Sequence, residues 1–152
     1  MISILQRVRR AQVEVGGAMI GAIDQGILML VCAEPGDSEA EAEKLINKVL
    51  KLRIFSDAAG KMNLSLQDVG GGLLIVSQFT LAVDTSGGKR PSFSGAAGAE
   101  QGRRLYEHCL RYAGTLHGQV ASGEFGADMQ VSLVNDGPVT IPLRIHPAKE
   151  TS

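Results

Sequence analysis

The chain is 152 residues long, with 15 Lys and Arg against 16 Asp and Glu, a formal net charge of -1. That balance excludes a strongly basic nucleic-acid module, so any RNA contact must use local patches. A composition 44% hydrophobic and 20% charged excludes a disordered chain, and with no Trp and only 4% aromatic residues a platform stacking several bases is not expected.

In chain order, residues 2–8 read as a strand. Residues 11–15, Ala-Gln-Val-Glu-Val, alternate apolar and polar, the period of a half-buried strand. Gly16-Gly17 and Asp24-Gln25-Gly26 mark turns, and Ile27 to Ala33 is a continuous apolar run that predicts a buried central strand. The first third therefore reads as hairpins. Ser38 followed by Glu41 is a capping-box pattern, and Ala42, Leu45, Ile46, Val49 and Leu50 recur at helical spacing behind it. Asp57 to Lys61 is a loop, and Gly70-Gly71-Gly72 leads into the apolar strand Leu73 to Gln78. Asp84 to Gly95, rich in Ser, Gly, Lys and Pro, is a surface loop. Leu105, Tyr106, Cys109, Leu110 and Ala113 predict a second amphipathic helix, followed by strands at Met129 to Val134 and Val139 to Ile145. Strands at both ends and helices between them predict one α/β domain over 1–152, with mixed β-sheets and two main helices packed on one side.

Several chemistries are absent from the pattern. Cys32 and Cys109 form no CxxC pair and read as small buried hydrophobes in a reduced protein. The three histidines, His108, His117 and His146, have no metal-ligand spacing, so neither a metal nor a cofactor is expected. No apolar run reaches bilayer length, and the N-terminal charges follow the apolar residues, the wrong order for a secretory signal. A cytoplasmic protein with no membrane partner is the expectation. Gly70-Gly71-Gly72 precedes a strand and so is no phosphate-binding turn; no GxSxG elbow exists.

Two segments stand out. Ser77-Gln78-Phe79-Thr80 is a polar way to end a buried strand. It reads either as a site presenting hydroxyls, backbone N–H donors and an aromatic face, or as a strand exit with locally satisfied polar groups. Asn135-Asp136-Gly137-Pro138, followed by Val139-Thr140, is on its own ordinary turn chemistry between two strands. An X-Pro bond has a base rate of only about 5–6% for the cis form.

At these two segments the chain resembles the D-aminoacyl-tRNA deacylases, homodimeric enzymes whose signatures are Ser-Gln-Phe-Thr and Asn-x-Gly-Pro-Val-Thr. The likeness extends through Gln6-Arg7-Val8, Leu52 to Phe55 with Gly60 to Asn63, Arg90-Pro91-Ser92-Phe93, and Gly123 to Met129. Only the tail, Ile145 to Ser152, is idiosyncratic.

The resemblance implies a three-layer, barrel-like fold and hydrolysis of the ester in D-aminoacyl-tRNA, with glycyl-tRNA mischarged on tRNA-Ala as a further substrate. It implies that Ser77, Gln78, Phe79 and Thr80 form the catalytic segment, with backbone N–H groups facing the oxyanion. A cis Gly137-Pro138 would reach from one subunit into the other's site and exclude L side chains by main-chain contact. Phe125, Gly126 and Met129, with Phe79, would hold the 3′-terminal adenosine. Arg7, Lys89 and Arg90 are the candidate cations for the tRNA backbone, with no DNA partner expected. Thr80 as nucleophile and assistance by the terminal 2′-OH both remain open for the proton transfer. The competing readings are a Ser/Thr-nucleophile hydrolase of small esters and a non-catalytic RNA-binding dimer.

Overall fold

A computed structural model describes residues 1–148; positions 149–152 of the expected idiosyncratic tail lie outside the described residues. The elements are β1 (Ile2–Val15), β2 (Ala18–Ile23), β3 (Gly26–Cys32), α1 (Glu39–Lys51), β4 (Phe55–Ser56), β5 (Met62–Leu64), α2 (Leu66–Val69), β6 (Gly72–Ser77), a 3-10 turn at Phe79–Ala82, α3 (Ala99–Leu116), β7 (Val120–Ser122) and β8 (Gln130–Arg144).

The main sheet is mixed. β1 pairs antiparallel with β8 along one edge; along the other it pairs with β3 over its first half and β2 over its second. β3–β6 and β6–β7 are parallel, so the connections through α1 and α3 are crossovers. β2 then folds back against β7, so the sheet curls into a nearly closed barrel. The seam is tight: a Cβ on Gly21 of β2 would lie 2.2 Å from the Ser122 carbonyl oxygen of β7.

β3 and β6 are buried on both faces, as their unbroken apolar runs require. Leu73 and Ile75 pack with Leu45, Ile46, Val49, Leu105 and Cys109 in the helix-facing core. Leu74 and Val76 belong to a second cluster, with Val8, Val13 and Leu28, against which Met129, Val131 and Leu133 pack. The architecture is thus helices, sheet and barrel interior, with the two main helices on one side. Ser38 and Glu41 form the expected capping box, and both cysteines are buried. His108 of α3 stands near Glu39 and Glu43 of α1, and His117 caps α3 and contacts the Gly71 carbonyl.

Two expectations are corrected. The stretches 2–8 and 11–15 are one continuous strand, because the exposed Arg9 and Arg10 interrupt the apolar alternation while the pairing with β8 is offset by a single residue, Arg9, and resumes at Arg10. Likewise Asn135 to Pro138 is no hairpin turn: β8 continues through it in the same direction, with Asp136 to Val139 bulged out opposite Arg7 and register shifts on both sides of Val8 in the paired strand. The Gly137–Pro138 peptide bond is cis. The sequence reading also missed the short elements β4, β5, α2 and β7.

The barrel seam supplies a stability test. Gly21→Ala must push β2 off β7 and is expected to lower the unfolding free energy by about 1–3 kcal/mol. Gly114→Ala, on α3 with nothing within 4 Å of the added Cβ, is expected to raise it by about 0.5–1 kcal/mol. Urea unfolding of the two variants beside the parent measures both.

Candidate active site

The site begins where β6 runs out of partners. Ser77 is paired with Val31, and the Gln78 amide makes the next sheet bond to the Val31 carbonyl at 2.8 Å. The chain then winds into the 3-10 turn with no side-chain cap. Among the described residues the amides of Phe79 and Thr80 donate no hydrogen bond, as expected for the leading donors of an uncapped turn. The Gln78 side-chain amide donates to Thr80 Oγ1. That nitrogen carries no basic lone pair, so Gln78 cannot activate the Thr80 hydroxyl as a nucleophile.

The turn is fixed from below. Cys32 lies against the Phe79 carbonyl, with Sγ 3.6 Å from its oxygen, and burial pushes the thiol up from its ordinary pKa. It is a packing group with a weak S–H donor, not a poised thiolate. Phe79 itself is 58% exposed, with its ring edge-on to Phe93 at 5.4 Å.

A cleft of about 590 Å³ opens beside this turn, within the size range of small-molecule sites. Ser77, Gln78 and Phe79 form one wall; Phe125, Gly126 and Met129 form the other. Six residues expected at the catalytic and adenosine subsites therefore meet in one cavity. Thr80 adjoins it through Gln78. Val76, Met129 and Val131 connect it to the barrel interior, and Ala97 and Phe125 to the helix-facing core. The cleft is the mouth of the barrel between the two cores.

Phe125 is held by α3. It tilts against Tyr106 at 6.0 Å, and Gly102 leaves room for its ring. Tyr106 donates to the Ile75 carbonyl at 2.8 Å, and burial pushes its pKa up to about 12, so it remains a neutral donor.

Gly137 and Pro138 are exposed on β8 and do not line this cleft. Following the register from Ser77 through Val31 and Ser3 to Leu143, the pair lies three strands across and five residues along. That is roughly 14 Å across the sheet and roughly 17 Å along it. The pair is fixed by side chains from within its own chain. Asn135 donates to the carbonyls of Arg7 and Val139, both at 2.9 Å. Arg7 donates to the carbonyls of Asp136 and Ile54, both at 2.8 Å. Gly137 has φ +148, and a Cβ there would lie 2.7 Å from Val139 Cγ2 and 3.3 Å from Arg7 Nη2.

Arg7 therefore departs from the expectation of a phosphate contact. Its side chain is 12% exposed and its Nε and Nη1 donors are engaged by backbone oxygens. It acts as a clamp on the Gly137–Pro138 segment. Lys89 and Arg90 are exposed on the surface loop, whose base is closed by Asp84 and Ser92 and whose Phe93 returns to the cleft. Sequence reasoning quoted Phe93 and Asn135 only as parts of motifs, and their roles emerge from the contacts. For Asn135 the signal was available: a side-chain amide two residues before a glycine commonly bonds nearby backbone.

Residues 4–144 match the family model for D-Tyr-tRNA(Tyr) deacylase. The chain belongs to that family. The D-aminoacyl-tRNA deacylase of Azoarcus sp. (strain BH72) is 67% identical over 148 residues, covering 97% of this chain and 98% of that one. The protein of the same name from Methylibium petroleiphilum is 68% identical over 143 residues, 94% of each. Among solved structures, a c-Myc DNA Unwinding Element Binding Protein superposes with TM-score 0.91 at 40% identity, over 97% of this chain and 100% of that one. A "probable eukaryotic D-amino acid tRNA deacylase" superposes with TM-score 0.83 at 16% identity, over 95% of this chain and 98% of that one, a likeness of fold alone. The family match thus spans both the cleft and the Arg7-clamped segment.

The clamp gives a test. Arg7→Met leaves the Asp136 and Ile54 carbonyls without their charged donor and is expected to cost about 2–4 kcal/mol of stability. Arg10→Ala, at an exposed position on the same strand, is expected to stay within about 0.5 kcal/mol. Denaturant midpoints of both variants read the difference.

Proposed function

We propose that the chain is a D-aminoacyl-tRNA deacylase, an esterase that releases a D-amino acid from the 3′-terminal adenosine of tRNA. The observation that carries this reading is the pairing of free Phe79 and Thr80 amides with an adenosine-sized cleft in a member of this family.

The chemistry follows from the groups present. Water adds to the ester carbonyl, and the developing oxyanion takes hydrogen bonds from the Phe79 and Thr80 amides. One such preorganised donor is worth about 2.7–4 kcal/mol of barrier. The carbonyl–ribose C–O bond then breaks, giving a carboxylate and a ribose hydroxyl. Since Gln78 donates to Thr80, the proton transfer is assigned to the ribose 2′-OH, a group that DNA lacks. Phe125, Gly126 and Met129 hold the adenine, with Phe79 beside it. The reading invokes no metal or cofactor.

Selection is assigned to Gly137 and Pro138 of a second copy in a homodimer. Two features support this: the segment is exposed, and it lies far from its own Ser77 turn. Its carbonyls take the substrate ammonium, which can only donate. With the ammonium and ester fixed, a D side chain points outward and an L side chain meets main chain. Glycine has nothing to exclude, so glycyl-tRNA mischarged on tRNA-Ala is a substrate too. Lys89 and Arg90 meet the tRNA backbone. The protein acts in the cytoplasm as a chiral proofreader of translation.

The deciding assay compares deacylation of D-tyrosyl-, L-tyrosyl- and glycyl-tRNA. The D and glycyl esters are expected to be cleaved, and the L ester at least about a hundredfold more slowly. Equal cleavage of D and L would remove the selection mechanism, and no cleavage of any ester would remove the activity. In the same assay a tRNA ending in 2′-deoxyadenosine is expected to be nearly inert; an undiminished rate would remove ribose assistance.

A further inference from the structure

Resting on that reading of the cleft, we propose that Arg103 is an RNA-binding residue that takes the phosphate of the terminal nucleotide whose base lies on Phe125. Arg103 is exposed on the first turns of α3, and its guanidinium carbon sits 4.9 Å from the centroid of the Phe125 ring. The ring packs against the helix at Gly102, where an added Cβ would lie 3.4 Å from Phe125 Cζ, an ordinary contact distance. Stacking over an aromatic face fixes the plane of a guanidinium while leaving its N–H edges open to an acceptor.

Among the described residues those edges are not used. Arg7 and Arg9 lie within 4 Å of Asp136, and Arg144 pairs with Glu34. Among the described residues Arg103 has no carboxylate within that distance, not even Glu107 one turn further on the same helix. Of the described residues lining the cleft, the one that is charged is Asp128, a carboxylate that offers a phosphate no partner. The phosphate of a nucleotide bound there needs a cation from outside the lining. On the Phe125 side Arg103 is that cation, outside the lining itself but set over a ring that forms part of it. Lys89 and Arg90 belong to the loop that reaches the cleft through Phe93, which supplies the opposite side of Phe79.

The test separates phosphate binding from support of Phe125. A fluorescent RNA hairpin ending in single-stranded ACCA is titrated with the parent protein, Arg103→Gln and Arg103→Lys over a series of KCl concentrations. D-Tyrosyl-adenosine, which has no phosphate, is assayed in parallel. Arg103→Gln is expected to weaken hairpin binding about tenfold and to reduce the salt slope by about 0.7, the value of one phosphate on a single strand. Arg103→Lys is expected to keep the slope, and cleavage of D-tyrosyl-adenosine by Arg103→Gln is expected to stay within about twofold of the parent. Unchanged hairpin binding and slope in Arg103→Gln would overturn the proposal. So would an equal loss on D-tyrosyl-adenosine, which would make Arg103 a support for Phe125. A parent protein that binds the hairpin with the Arg103-dependent slope yet cleaves no D-tyrosyl ester would overturn the deacylase reading and leave the phosphate contact standing.

Discussion

The pairing of β1 with β8 is the constraint on which the rest of the structure depends. The two strands run antiparallel from Ile2 opposite Arg144 to Glu14 opposite Gln130, with register shifts on either side of Val8. Bulges of this kind re-aim backbone without ending a strand. Here the re-aimed backbone is Asp136-Gly137-Pro138. The same few residues that break the ladder hold what escapes from it: Asn135 bridges Arg7 and Val139, and Arg7 ties Asp136 to Ile54. An exposed glycine is thereby given neighbours on its own chain as close as those of a buried one.

The turn and the cleft follow a different logic. The 3-10 turn after β6 exposes amides because the sheet ends there, and the barrel ends there with it. The two apolar clusters on opposite faces of β6 meet at that end, and their gap is the cleft. Functional groups supplied by the main chain suit such a place. They need no titratable partner, and the buried Cys32 and Tyr106 beneath them are held as neutral thiol and phenol by burial. The free amides of the turn depend on no ionisable side chain, whereas the Gly137–Pro138 segment depends on one, the always-charged Arg7.

What the sequence made legible tracks the range of the forces involved. α1 and α3 were readable because amphipathic period, and for α1 its capping box, are local: α1 buries every expected residue, and α3 buries all but Leu110, which is half-buried. The apolar runs of β3 and β6 were readable for the same reason. β1 and β8 were each read as two pieces, because Arg9-Arg10 and Asn135 to Pro138 look like interruptions when the pairing partner is unseen. Arg7 shows the same limit: a lone arginine in a strand reads as a surface cation until Asp136 and Ile54, 129 and 47 residues away, are brought beside it. The residues expected at the catalytic and adenosine subsites came from the family motifs rather than from composition. The structure adds that six of them line one cleft and that the other motif lies elsewhere on the same chain. Arg103 had no local signal, since only the packing of Phe125 on Gly102 distinguishes it from Arg104 or Arg111.

If the clamped segment of one copy completes the cleft of another, two differently defective chains should complement each other. One chain carries a substitution in the Ser77–Thr80 turn, such as Gln78→Ala, and the other carries Gly137→Ala. Each homogeneous protein should be strongly impaired on D-tyrosyl-tRNA. A purified mixed dimer should recover about half the parental activity, because one of its two composite sites is intact. A mixed dimer no more active than its two parents would contradict the claim, since a site built within a single chain would be damaged in both.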